Sequence, residues 1–356
     1  MQQAPPFGIY VHVPFCLARC HYCAFATWDD RPDLIGAYAA AVVTEVQAAM
    51  AAGLPSATSV FFGGGTPSLL DVAQLGAIVR ALPLAPGAEV SVECNPDTVD
   101  AELLGGYREA GVNRISLGVQ SMVPHVLGAL GRTHDPDNVA RAVEAIVGAG
   151  YPSWNMDLIY GAVGESLADW ETTLFAALAL DPPHVSAYGL TVEAGTPLAA
   201  DPARHPDDDD EADKYLVADA DLGGAGLTSY EVSNWARPGH ECRHNLLYWG
   251  QGDYRGFGCA AHSHEAGRRW WNVRTPERYL ALVAAGDPTA AADEHLEAED
   301  RRIEGLQLAL RTRDGVPTEA VPDDDDLEGL VERRGGRATL TLAGRLLANE
   351  VAVRLR

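Results

Sequence analysis

Cys16, Cys20 and Cys23 place half of the chain's six cysteines within eight positions of the stretch YVHVPFCLARCHYCAF. They follow an alternating apolar run, Gly8 to Val13, that ends in Pro14, so they sit on the loop that closes a strand. A disulfide framework wants an even count in a short secreted chain. The first residues also lack the basic region, apolar core and small-residue cleavage site of a leader. Clustered thiols of this kind bind metal instead. Three of them can hold zinc, with His12 or His21 as a fourth ligand, or three corners of an iron–sulfur cluster. Cys94, Cys242 and Cys259 stand singly and read as small buried hydrophobes.

Such a loop needs a scaffold, and the sequence supplies one. Short β-branched runs at Gly8–Val13, Thr58–Phe62, Glu89–Glu93, Arg114–Leu117, Trp154–Ile159 and His184–Leu190 alternate with helical patterns at 33–52, 71–82, 100–110, 137–149 and 167–179. Strands separated by helices predict parallel βαβ units with right-handed crossovers. Six units are too few for an eightfold barrel, so an open sheet or partial barrel is expected, with chemistry at the carboxyl ends of the strands. The other unusual residues fall on that rim. Gly63, Gly64, Gly65 and Thr66 follow the second strand, and Glu93 and Asn95 end the third. Gln120 and Ser121 follow the fourth, and Asp157 lies near the end of the fifth. A bare glycine edge admits a ligand's backbone-like groups without Cβ obstruction. Glu93 and Asp157 can accept from an ammonium and from ribose hydroxyls, and Arg132 in LGRTHD can clamp a carboxylate. GGGTPS lacks the G-x-G-x-x-G spacing of a dinucleotide fingerprint.

The formal charge of −24 over 356 residues argues against affinity for nucleic acid or anionic lipid. Part of it lies in the aspartate runs 207–210 and 323–326, which read as solvated loops or helix starts, and Lys214 is the chain's one lysine. The Ala-rich segment 36–54 is broken by Thr44, Glu45 and Gln47 and reads as a packed helix, not a membrane span. After a helix at 211–222, the stretch 229–263 is rich in His, Gly and aromatics with little secondary-structure signal. A loop of that length is usually functional. From Ala298 a helix (298–311), a turn at Asp314-Gly315, a short strand and a terminal amphipathic helix suggest a small winged-helix-like α+β unit, with no basic stripe for DNA. The expected division is 1–233, 234–297 and 298–356.

These motifs resemble the radical S-adenosylmethionine (SAM) superfamily: C-x3-C-x2-C, Tyr22 before the third cysteine, and Gly-Gly-Gly-Thr-Pro after the second strand. YVHVPFC, FFGGGTPS, NRISLGVQS, LGRTHD, MDLIYG and YEVSNWARPGHECRHNLLYW resemble, more closely, the family that joins oxygen-independent coproporphyrinogen III oxidases to their heme-chaperone branch, HemW. The resemblance implies a partial (β/α)6 barrel and a [4Fe-4S] cluster on Cys16, Cys20 and Cys23. Its open iron would be chelated by the amino and carboxylate groups of SAM. Carried over by position, Tyr10, Tyr22, Gly64, Gly65, Thr66, Glu93, Gln120, Arg132 and Asp157 line the cofactor; Tyr10 and Gln120 read equally well as core and rim residues.

Within that family three features favour the chaperone branch over the oxidase. Phe25 stands where the oxidases resemble a further cysteine, and nine residues precede Tyr10 where the oxidases carry a covering segment. HNLLYW (His244, Asn245, Tyr248, Trp249) resembles the chaperone signature. The branch implies heme as a ligand, His244 as an axial donor, respiratory proteins as heme acceptors, and a cytoplasmic protein that visits the membrane surface. Without the resemblance, His244 reads as a turn cap above packed aromatics. Coproporphyrinogen decarboxylation is the alternative function, and whether SAM is cleaved is left open.

Overall fold

The computed structural model describes residues 5–132 and 134–356; Thr133 of LGRTHD lies outside them. Six strands run parallel: β1 (Phe7–Val13), β2 (Ala57–Gly64), β3 (Leu84–Cys94), β4 (Arg114–Gln120), β5 (Ser153–Tyr160) and β6 (His184–Gly189). Between and after them come α1 (Ile35–Ala51), α2 (Val72–Ala81), α3 (Ala101–Ala110), α4 (Pro124–Leu130), α5 (Pro136–Gly148), α6 (Leu167–Leu178) and α7 (Asp208–Gly224). Every expected strand and helix up to residue 224 is present, and α4 is an addition. The segment Pro32–Ala51 is long and apolar enough to cross a membrane by length and composition. Here it packs Tyr38, Val42 and Val46 into the main core.

The stretch after residue 228 departs from the expectation of little regular structure. β7 (Thr228–Glu231) and β8 (Asn234–Ala236) form a hairpin on the β6 edge, across the expected boundary at 233. The short helix α8 (Arg243–Trp249) precedes β9 (Asp253–Phe257), which pairs parallel with β1. Next come β10 (His262–Glu265), β11 (Arg268–Asn272), α9 (Pro276–Ala285) and β12 (Ala290–His295). They complete one sheet of order β12-β11-β10-β9-β1-β2-β3-β4-β5-β6-β8-β7. Strands this short, interrupted by glycines, leave a faint period-two signal, and the β9–β1 pairing joins residues some 240 positions apart.

From α10 (Ala298–Ala309) onward the chain builds its own antiparallel sheet from β13 (Val316–Pro317), β14 (Val331–Arg334) and β15 (Arg337–Leu340). The terminal helix is two short pieces, α11 (Leu342–Leu346) and α12 (Ala348–Ala352), over a separate core centred on Leu310, Val316, Ala338 and Val351.

The sheet's two faces explain the sequence pattern. Ile9, Val11, Val60, Phe62, Val90, Val92, Ile115, Leu117, Met156 and Leu158 point outward into the helices and form the core. The alternate positions face a cavity enclosed by the strands. In the helix layer outside the sheet sits Lys214, fully buried. Its Nζ donates to the Glu165 carbonyl at 2.8 Å, which fastens α7 to the loop before α6, and to Asp210 Oδ2 at 2.6 Å within α7.

Candidate functional site

A cavity of about 1020 Å³ lies inside the parallel strands, and the thirteen residues that the resemblance assigns to cluster, SAM and heme all line it, whereas Gly63, Ser121 and Trp249 do not. At its carboxyl end the cysteine loop is stitched down from three sides. Cys16 N donates to Trp28 O at 3.0 Å, His21 N to Leu130 O at 3.1 Å, and Leu198 N to His21 O at 3.0 Å. Tyr22 packs among Val126, Leu130, Ile159 and Leu198, which anchors the loop against α4. The glycine run after β2 meets this loop edge to edge: Gly65 N donates to Val13 O and Thr66 N to Phe15 O, both at 2.7 Å. A Cβ on Gly65 would lie 2.5 Å from the Phe15 carbonyl oxygen and 3.0 Å from Cys16 Sγ, and one on Gly64 would strike the His12 ring. Close approach to the thiol loop requires glycine at 65, and the His12 ring together with a φ of 110° requires it at 64.

Burial pushes the Cys16 thiol up to about 11, against the help of the Thr66 hydroxyl, and raises Cys23 as well. Both are therefore protonated in the bare chain and would release protons to a metal. Of the two candidate fourth ligands for zinc, His12 has both ring nitrogens engaged and His21 one. His12 is held by Tyr10 Oη at 3.1 Å and the Ala26 carbonyl at 2.9 Å, and His21 Nδ1 accepts from Arg204 at 3.0 Å. Among the described residues no three His, Cys, Asp or Glu side chains converge on a single ion.

Beside the thiols lies an acidic pair with an arginine. Glu93 Oε2 accepts from Gly64 N at 3.2 Å. Asp157 is fixed by Ser116 Oγ at 2.6 Å and Asn155 Nδ2 at 2.9 Å. Recession from solvent, then the nearby Asp157 charge, push Glu93 up to about 8, and burial likewise raises Asp157. Two carboxylates held this way want a cation or hydroxyl donors between them. Arg132 donates to the Gly118 carbonyl at 2.6 Å and reaches toward Cys20, while its buried Nε has no partner among the described residues. Gln120 sits at φ 65° where β4 breaks register with β5, which turns its side chain into the cavity.

Ser116 and Asn155 escaped the sequence reading, and His12 entered it only as a possible zinc ligand. The signal was available: on β4, β5 and β1 they occupy the alternate polar positions two residues from Gly118, Asp157 and Tyr10.

The opposite end is closed by α8. Gly8, Ser59 and Glu89 lie in register near the amino ends of β1 to β3. Glu89 accepts from the N–H groups of Arg243 and His244, each at 3.2 Å, so a carboxylate caps the helix start. His244 is buried with both ring nitrogens engaged, Nδ1 with Ser59 Oγ at 3.0 Å and Nε2 with Tyr248 Oη at 2.9 Å, and it stacks on Phe61. Burial holds it neutral, down to about 3. The sequence placed His244 as an axial heme donor. Ligation through Nε2 would require Tyr248 to give up that nitrogen at the cavity floor.

Residues 10–177 match the Radical SAM superfamily. The heme chaperone HemW of Mycobacterium tuberculosis is 42% identical to this chain over 97% of it and 94% of the relative. This chain belongs to the heme chaperone HemW family. HemW proteins of Synechocystis and Bacillus subtilis are 37% and 33% identical, over 91% and 96% of this chain and 82% and 97% of theirs. In fold the chain matches coproporphyrinogen III oxidase (HemN) from Escherichia coli, with a TM-score of 0.85 at 21% identity, over 98% of this chain and 89% of that one. The partial (β/α)6 barrel and the small antiparallel C-terminal unit stand on that match. Membership of the HemW family, within the radical SAM superfamily, implies a [4Fe-4S] cluster and SAM. The residues present suit both. Three thiols spread along one loop fit separate irons of a cluster better than one ion. The acidic pair and the unpartnered Arg132 Nε lie within the same cavity, where a zwitterionic ligand with a sugar would find partners.

Proposed function

We propose that the chain is a heme chaperone that binds heme and passes it to an acceptor, a respiratory protein, without decarboxylating porphyrinogens. The observation that carries this reading is 42% identity over 97% of the chain to a protein named heme chaperone HemW. Cys16, Cys20 and Cys23 would hold three irons of the cluster. SAM would lie on Tyr10, Tyr22, Gly64, Gly65, Thr66, Glu93, Gln120, Arg132 and Asp157. When bound, the pair supplies one-electron reductive cleavage chemistry. The chain's own part is positioning: Glu93 receives an ammonium, Asp157 receives ribose hydroxyls while Ser116 and Asn155 hold it still, and Arg132 faces the carboxylate. His244 we assign to holding the floor. Residues 1–297 act as the barrel unit, with 234–297 supplying its far strands, and 298–356 as the C-terminal unit. The working place is the cytoplasm, with visits to the membrane surface where the acceptor lies.

One anaerobically reconstituted sample tests this reading through a heme titration and an assay for coproporphyrinogen decarboxylation. Saturation near one equivalent with no decarboxylation is expected. Decarboxylation at a biosynthetic rate would return the chain to the oxidase branch.

A further inference from the structure

Four histidines line the cavity, and the engagement of their nitrogens separates them. His12 and His244 have both nitrogens occupied. His184 has Nε2 on Tyr230 Oη at 2.9 Å and Nδ1 without a partner among the described residues, but it is fully buried, 1% exposed. His262 is exposed, and among the described residues its ring makes no hydrogen bond. It opens β10 opposite Trp271, against which its ring stacks at 5.7 Å and 25°. The parallel β9–β1 pairing carries it to the carboxyl end of the barrel, beside the thiol loop.

The surroundings have the composition a porphyrin needs. Leu17 and Phe25, 63% and 64% exposed, flank the thiols at the same mouth. Large apolar side chains left open together mark a surface that something covers. Arg19 and Arg274 also line the mouth; among the described residues neither forms an ion pair, although the chain carries a net charge of −24. Arg19 has one weak contact, to the Cys23 carbonyl at 3.4 Å. Heme can be held by a neutral imidazole on its axis, apolar contact for the ring, and cations for its two carboxylates.

We propose that His262 is the protein ligand to the heme iron, with Leu17 and Phe25 against the macrocycle and Arg19 and Arg274 receiving its propionates. This rests on the heme-binding reading above. Partial burial lowers His262 from its ordinary value, so the ring is neutral and its lone pair available at pH 7.

The test is an anaerobic titration of the full chain with heme and with heme dimethyl ester, followed at the Soret band, in wild type, His262→Ala, His244→Ala and Arg19→Gln/Arg274→Gln. His262→Ala should shift the Soret band and weaken binding about tenfold or more, and free imidazole should restore the wild-type spectrum. His244→Ala should keep the wild-type band. The double arginine variant should lose the preference for heme over its diester. A wild-type band in His262→Ala, with the shift in His244→Ala, would overturn the ligand assignment and leave the chaperone reading standing. No saturable binding by the wild type would end both. Unchanged iron and sulfide content in each variant establishes that the fold survives.

Discussion

The barrel's two ends are made from the same strands and differ in how their polar groups are matched. At the α8 floor, Glu89 meets two helix N–H groups and His244 meets Ser59 and Tyr248, so the group is self-contained. At the thiol end, Glu93 is buried near the Asp157 charge, Arg132 Nε lacks a partner among the described residues, and Cys16 and Cys23 are held as thiols. Buried polar groups are ordinarily paired. Where they are paired within the chain, they hold structure. Where they are left unmatched around a cavity, they await a ligand. The histidine that drew attention in the sequence sits at the matched end.

The sharpest way to break this contrast is to remove thiols from each set. Cys16→Ala, Cys20→Ala or Cys23→Ala should abolish the roughly four irons and four sulfides expected per chain after anaerobic reconstitution. Cys94→Ala, Cys242→Ala and Cys259→Ala should retain them. Stoichiometric zinc in place of iron would sink the cluster assignment.

The floor should respond in stability instead. His244→Ala leaves Ser59 and Tyr248 without their partner and opens a hole beside Phe61, at a cost of about 3 kcal/mol. Urea unfolding should show the loss, and cluster content should not change. A midpoint within error of wild type would mean that the floor is not what closes the barrel.

The smallest effects sharpen the comparison through SAM affinity and pH. Glu93→Gln should weaken SAM binding roughly ten- to hundred-fold by calorimetry, the loss of one charge-assisted hydrogen bond. Glu93 binds its proton up to about pH 8 in the folded chain against 4.5 ordinarily, so the native state holds the extra proton between those values. Stability must fall as pH rises through that window. His244 runs the other way. Its folded value of about 3 against 6.5 means that the unfolded chain takes up the proton, and stability is lost as pH drops below 6.5. Urea midpoints across pH should flatten on the alkaline side in Glu93→Gln and on the acid side in His244→Ala. An unchanged alkaline slope in Glu93→Gln would remove its carboxyl from the raised state.

Much of this was legible before the structure. Valines and isoleucines spaced two apart betrayed β1 to β6, because their outward faces must pack on helices. The residues just beyond those strands betrayed the site, because parallel strands share one carboxyl end. The barrel's far half was not legible. β9 to β11 are four or five residues long, and β1, the parallel partner of β9, lies far off in sequence. Nor could His244 be judged from its neighbours in HNLLYW: the hydrogen bond that fixes Nδ1 comes from Ser59, some 185 positions away.

Lys214 carries one more consequence. Every other side-chain cation of the Lys/Arg kind is arginine, so an acylating or reductively alkylating reagent finds a single side-chain amine, at 0% exposure. That amine is reachable only when α7 lifts from the loop at Glu165, breaking the bond to the Glu165 carbonyl. The chain therefore carries a built-in chemical clock: the rate of labelling at Lys214, followed by intact mass, reads the opening frequency of this one seam.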